Sequence, residues 1–145
     1  MSIDIGAHEY VRPASEYINF LHPGRHRLII GDSTEVFPTL AKAVNQKMDL
    51  IFIDGGHAYE IAKSDLESAL AMSHADTIIV MDDTIYVPNW EKDYSKGPTT
   101  VWMEAVANGF IKDDIRLTMD EWNGISYGHP VLSSHTSEAE GAVSQ

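Results

Sequence analysis

The sequence predicts an α/β fold: a doubly wound, mostly parallel sheet that closes with an antiparallel hairpin. Three observations carry that expectation. Short apolar runs rich in β-branched residues recur along the chain, as at Leu50-Ile51-Phe52-Ile53 and Ile78-Ile79-Val80-Met81. Such runs suit strands buried on both faces. Segments with helical periodicity alternate with them, the pattern of βαβ units. Near the end, Asn123-Gly124 lies between two strand-like runs, and Asn-Gly is the favoured pair for a tight hairpin turn.

Taken in order, residues 2–5 read as the first strand. Pro13 lies in the first turn of a helix that runs to about Leu21, where His22-Pro23-Gly24 breaks it. Residues 27–30 form the second strand, closed by Gly31-Asp32. Asp32 and Glu35 have capping-box spacing, with Asp in place of Ser or Thr, and open a helix through Val36, Leu40 and Val44. The third strand spans 49–54. The clearest helix spans 60–73, with Ala62, Leu66, Ala69 and Leu70 on one face and charges on the other. The fourth strand spans 77–81. Residues 84–98 read as a long polar loop with Pro88, Gly97 and Pro98, and loops of that length are usually functional or disordered. Thr100 caps a short helix that ends at Gly109. The hairpin joins 115–121 to 125–127, which gives one reversed strand. From Ser133 the chain is Ser, Glu and Ala without periodicity. The expectation is one domain over 1–132 and a disordered tail over 133–145.

At 145 residues the chain can bury one proper core. Its formal net charge of −12 repels phosphate backbones and anionic membranes, so neither nucleic acid nor a membrane is an expected partner. It has no cysteine, which excludes disulfides, thiolate metal sites and thiol catalysis. No apolar run approaches the roughly 18 residues that span a bilayer. The N-terminus lacks the pattern of a signal peptide. A cytoplasmic address is the expectation.

The two longest apolar runs end in acid, at Asp54 and at Asp82-Asp83. Ligands of open α/β sheets bind just beyond the carboxyl ends of the strands. If the two strands are neighbours, three carboxylates gather there. Such a group needs a cation, a shared proton or a cationic ligand. His57 stands beside them, and an imidazole can take a hydroxyl proton near neutral pH.

The order of elements and these acids resemble the class I S-adenosylmethionine-dependent methyltransferases, which have a Rossmann-like sheet. The resemblance is closest to the small-molecule O-methyltransferase branch, whose fourth strand ends in Ile-Asp-Gly-x-His. Here that motif is Ile53-Asp54-Gly55-Gly56-His57, with Gly31-Asp32-Ser33 and Met81-Asp82-Asp83-Thr84 in matching places. The match covers roughly residues 2–130. The resemblance implies that Asp4 holds the ribose hydroxyls and that Asp32, with Ser33 beside it, accepts from the adenine amino group. It places Asp54 by the methyl donor, and Asp54, Asp82 and Asp83 as ligands of Mg²⁺. Hard oxygen donors suit that ion. With His57 as base, the implied reaction is methyl transfer to a hydroxyl of a small molecule.

One departure is large. The family's first strand and its Gly-rich loop would precede Asp4, and Gly6 is a lone glycine. That strand would lie between those ending at Asp4 and Asp54. The chain is thus expected to read as the C-terminal portion of such a domain. The two flanking strands either close the gap or leave backbone groups unpaired. Weak cofactor binding and self-association through exposed strand edges, as a homo-oligomer, are expected.

Other roles compete. Any of the strand-end acids can cap a turn or helix, and capping alone explains Asp32. His57 can order its loop. Tyr86, Trp90 and Tyr94 can line an acceptor pocket, form a lid or cover core. Trp102 reads as core. Competing functions are a non-catalytic binding or dimerisation module and a Mg²⁺-dependent hydrolase. The latter would need a phosphate cradle, and no Gly-rich anion loop is present.

Overall fold

The structure, a computed structural model, describes residues 1–43, 45–86, 93–118 and 124–132. The elements run β1 (Ser2–Asp4), α1 (Val11–Leu21), β2 (Leu28–Ile30), α2 (Ser33–Ala43) and β3 (Met48–Ile53). They continue through α3 (Tyr59–Ala71), β4 (Ser73–Met81), α4 (Lys96–Ala107), β5 (Ile111–Thr118) and β6 (Gly124–Pro130). The α/β alternation and the closing hairpin are those the sequence predicts.

The strands form two sheets among the described residues. β1 and β2 pair in parallel, with Ile3 opposite Ile29. The larger sheet has the order β3-β4-β6-β5. β3 and β4 are parallel, with Ile51 opposite Ile79, and β6 is the reversed strand, antiparallel to both β4 and β5. The step from β1 to β2 leads away from β3, and the step from β2 to β3 leads back across β1. Right-handed crossovers therefore put α1 and α2 on opposite faces.

The core lies on one face of the larger sheet. Ile51, Ile53, Ile79 and Met81 point into it and meet Ala62, Leu66 and Ala69 of α3 and Val101, Trp102 and Ala105 of α4. The strand period of two sends the neighbouring side chains the other way. Leu50 is 62% exposed and Phe52 56%. The reading of these runs as strands covered on both faces thus holds for one face only. Among the described residues, α2, α3 and α4 line the covered face, and the opposite one stays bare.

Three elements begin well before the sequence reading places them, and β6 runs on to Pro130 rather than ending at 127. α4 begins at Lys96, so Gly97 and Pro98 belong to its first turn rather than to a loop. Proline is tolerated there because a first-turn N–H has no partner within the helix. Thr100 consequently lies inside the helix, and its hydroxyl donates to the Lys96 carbonyl at 2.7 Å instead of capping. β4 begins at Ser73, four residues early, because Thr77 Oγ1 ties the segment down by donating to the Met48 carbonyl at 2.6 Å. β5 begins at Ile111, before a bulge between Lys112 and Ile115. Val44, Pro88, Trp90, Asn123 and the 133–145 tail fall outside the described residues.

Candidate functional site

The acids at the ends of β3 and β4 share a rim. The Asp82 N–H donates to the Ile53 carbonyl at 2.9 Å, which extends the β3–β4 ladder by one rung beyond the strands. Asp82 Oδ1 accepts from the Asp83 N–H at 2.9 Å. Asp83 itself takes a left-handed conformation, φ +54°, which Asp tolerates better than most residues. That turn brings Asp83 Oδ2 within 2.9 Å of His57 Nε2. The His57 ring also lies 5.2 Å from the ring of Tyr94.

The charges at this rim strain one another. Burial, with the Asp82 charge second, pushes the Asp54 carboxyl above the usual carboxylate range, while His57 opposes the rise. Burial and then Asp82 also raise Asp83, again against His57. The three acids are near enough to repel, yet they do not converge. Among the described residues, no group of three acidic or histidine side chains is placed to hold a metal ion. Asp83 spends one oxygen on His57, so the expected Asp54–Asp82–Asp83 ligand set is not formed.

Asp4 and Asp32 end β1 and β2, and both are engaged locally. Asp4 Oδ1 accepts from the Gly6 N–H at 2.6 Å. Asp32 Oδ1 accepts from the Thr34 hydroxyl at 2.7 Å and the Thr34 N–H at 2.9 Å, which together hold its carboxyl below the ordinary range. Asp32 thus caps α2, as the competing reading has it. The bond goes to the Thr34 N–H rather than to that of Glu35, and among the described residues no Glu35 side-chain bond returns to Asp32, so the cap is made without a capping box.

A cleft of about 450 Å³ separates the two sheets. Its walls include Met1 to Ile3 on one side and Leu50 to Gly55 on the other, with Ser33, Phe37 and Asp65 between. Of the predicted site residues, Ser33 and Asp54 line it; Asp4, Asp32, His57, Asp82 and Asp83 do not. A second cleft of about 550 Å³ lies outward of His57, lined by Tyr59, Asp93, Tyr94, Lys96 and Thr100.

Asp65 is the residue that the sequence reading missed. It is 3% exposed, on the packed face of α3 with Ala62, Leu66 and Ala69. Ser33 Oγ donates to its Oδ2 at 3.2 Å, and its Oδ1 has no partner among the described residues. The signal was present: an acid at i+3 from Ala62 interrupts the apolar stripe. Burial raises its pKa, against the Ser33 bond, and the Asp32 charge adds to the rise. A raised carboxyl pKa gives stability that is full below the unfolded value and is lost as pH climbs through the folded one. Urea midpoints measured from pH 4 to pH 7 should therefore fall more steeply for the wild type than for Asp65→Asn. Parallel curves would count against a buried, strained carboxyl at this position.

The family profile described as "Methyltransferase domain" matches residues 2–84. No curated protein matches the chain in sequence. Solved structures do. A Klebsiella pneumoniae protein assigned as an O-methyltransferase is 18% identical, with a TM-score of 0.68 over 90% of this chain and 61% of its own. A cofactor-bound protein from MTB is 14% identical, with a TM-score of 0.71 over 88% of this chain and 59% of its own. The O-methyltransferase TomG from Streptomyces achromogenes is 14% identical, with a TM-score of 0.66 over 90% and 60%. At these identities the likeness shows the fold. The chain spans about three fifths of the length of the structures it matches.

Proposed function

The chain belongs to the methyltransferase domain family, and from that premise we propose that it forms part of an S-adenosylmethionine-dependent enzyme that methylates a hydroxyl of a small molecule. The observation that carries this reading is the His57–Asp83 pair set beside the strained carboxyl of Asp54. S-adenosylmethionine is the ligand named for the TomG structure.

The residues present fit that cofactor. Asp54 and Asp82 repel each other, and a cation between them and the cleft relieves the strain. Asp4 offers a carboxylate to vicinal ribose hydroxyls, and Asp32 and Ser33 lie at the next strand end for the adenine. When bound, the cofactor supplies a methyl group on a positively charged sulfur. The chain's own work is to position the acceptor and move one proton. With Nε2–H donating to Asp83, the lone pair of His57 resides on Nδ1, and that atom takes the acceptor's hydroxyl proton. The outward cleft beside His57, with Tyr59 and Tyr94 in its walls, is the place for the acceptor.

The residues as placed do not fit a resident Mg²⁺ ion, because one Asp83 oxygen is already bonded to His57 and, among the described residues, no three acidic or histidine side chains are grouped to hold a cation. No step is assigned to a metal. Millimolar Mg²⁺ is expected to leave the melting temperature of the wild type unchanged and to raise that of His57→Ala, in which Asp83 is released. A rise for the wild type would restore the metal-assisted scheme.

Calorimetry with S-adenosylhomocysteine tests the cofactor assignment. Asp4→Asn and Asp54→Asn should each weaken binding by about 10-fold or more, the scale of a lost hydrogen bond to a charged group. His57→Ala should leave affinity unchanged and slow transfer. Wild-type affinity in both Asp variants would refute the assignment. A cytoplasmic, small-molecule enzyme remains the proposal. Among the described residues, no helix is long and apolar enough to cross a membrane.

A further inference from the structure

We propose that Thr84 and Ser126 are positioning residues. Their buried hydroxyl pair holds a one-residue bulge at the end of β4, and that bulge turns Asp83 toward His57.

The register reveals the bulge. Ile79, Val80 and Met81 pair in step with Gly128, Tyr127 and Ser126. Continued at that step, the chain would bring Asp83 opposite Gly124. Instead the Thr84 N–H donates to the Gly124 carbonyl at 3.1 Å. One extra residue is thus taken up between Met81 and Thr84, and Asp83 there has the left-handed φ of +54°. An extra residue in an antiparallel pair bends the strand and re-aims a side chain. Here the re-aimed group is the Asp83 carboxylate, whose Oδ2 lies 2.9 Å from His57 Nε2.

A left-handed residue that carries a side chain persists where its surroundings hold it. Asp83 is held from both flanks. On one side the Asp82 N–H is tied to the Ile53 carbonyl of β3 at 2.9 Å. On the other, Thr84 is tied to β6 twice, by its N–H and by its hydroxyl, which meets the Ser126 hydroxyl at 2.7 Å. Thr84 is 3% exposed and Ser126 0%, so loss of either hydroxyl leaves the other buried and unsatisfied. Gly124 completes the clamp. A Cβ there would collide with the Ile85 side chain and stand 2.7 Å from the Leu117 carbonyl, so glycine lets β6 begin this close to the chain leaving the bulge.

The partner of Asp83 is placed by a different element. The His57 carbonyl lies against Gly97 of α4. The two halves of the pair are therefore fixed separately, and the bulge decides whether they meet. When they do, Nε2–H donates to Asp83 and the ring keeps its lone pair on Nδ1. That this lone pair receives an acceptor's proton rests on the methyl transfer proposed above. The competing role for the two hydroxyls is to satisfy each other in the core and nothing more.

The test is NMR of the full chain with ¹⁵N-labelled histidines. His57→Gln assigns the ring signals, and Asp83→Ala marks where they lie when the pair is broken. Thr84→Val keeps the shape and loses the hydroxyl, whereas Thr84→Ser keeps the hydroxyl and loses a methyl. Thr84→Val and Ser126→Ala should each move the His57 signals toward those of Asp83→Ala, and Thr84→Ser should leave them in place. In the Asp83→Ala background, Thr84→Val should move them no further, because its effect passes through Asp83. The double variant Thr84→Val/Ser126→Ala strands neither hydroxyl, so its melting temperature should recover relative to the single variants. Its His57 signals should stay displaced. Wild-type His57 signals in Thr84→Val, or signals that return with stability in the double variant, would overturn the proposal and leave the pair a packing feature. No cofactor enters these measurements. Unmoved signals in a chain that binds S-adenosylhomocysteine overturn this inference alone. Displaced signals in a chain that fails to bind it overturn the proposed function alone.

Discussion

Gly97→Ala is expected to separate His57 from Asp83 and to cost the fold about 2–4 kcal/mol, the range of a severe steric substitution. The backbone of α4 at Gly97 lies directly against the 57–59 segment. A Cβ there would collide with the His57 carbonyl and stand 2.9 Å from the Tyr59 nitrogen. Both obstacles are backbone, so no side-chain rotation relieves the clash. Either α4 moves outward or the loop after β3 moves, and His57 is on that loop. The melting temperature should fall, and the His57 ring resonances should lose their dependence on Asp83. Unchanged His57 resonances in a stable Gly97→Ala protein would show that the loop is soft and the pair not built into the fold.

Trp102→Ala should be at least as damaging, at about 3–5 kcal/mol for a buried aromatic deleted from a core. Trp102 is 1% exposed, and its Nε1–H donates to Asp114 Oδ1 at 2.7 Å. Arg116 holds the other Asp114 oxygen at 2.7 Å. Burial works to raise the Asp114 carboxyl, yet the bonds from Arg116 and Trp102 prevail and hold it below the usual range. A depressed carboxyl gives stability above the unfolded pKa that is lost as pH falls through the folded one. Trp102→Phe keeps most of the volume and removes the donor, so it should cost about 1 kcal/mol. Chemical denaturation of the two variants separates packing from the hydrogen bond. Equal losses would mean that the ring volume contributes little, contrary to its place in the core.

The strands, the reversed hairpin strand and the acidic rim were legible because each rests on local pattern. The runs at 50–53 and 78–81 have few other readings, and Asp54 and Asp82-Asp83 follow them directly. The start of α4 was not legible. Gly97 and Pro98 are loop residues by propensity, and only the close approach of that helix turn to the His57 loop explains a glycine there. Asp65 was hidden for the opposite reason: it sits in a convincing helix, where one acid looks like part of a charged face. The His57–Asp83 contact depends on a left-handed residue at position 83, which no spacing rule announces. The two-sided apolar pattern of β3 reads as burial on both faces, and the described residues cover it on one face only.

The placement of β6 between β4 and β5 has a consequence for how the molecule can be shortened. β5, eight residues long, has β6 as its sheet neighbour, and β6 itself is seven. A stop codon soon after Thr118 would remove the one strand, among the described residues, that joins β5 to the rest of its sheet. It would strand β5 along with the residues it deletes, uncover the edge of β4, and leave Thr84 without the Ser126 hydroxyl that it meets at 2.7 Å. During synthesis the same dependence sets an order: β4 and β5 wait, unjoined, until the segment that pairs with both has been made.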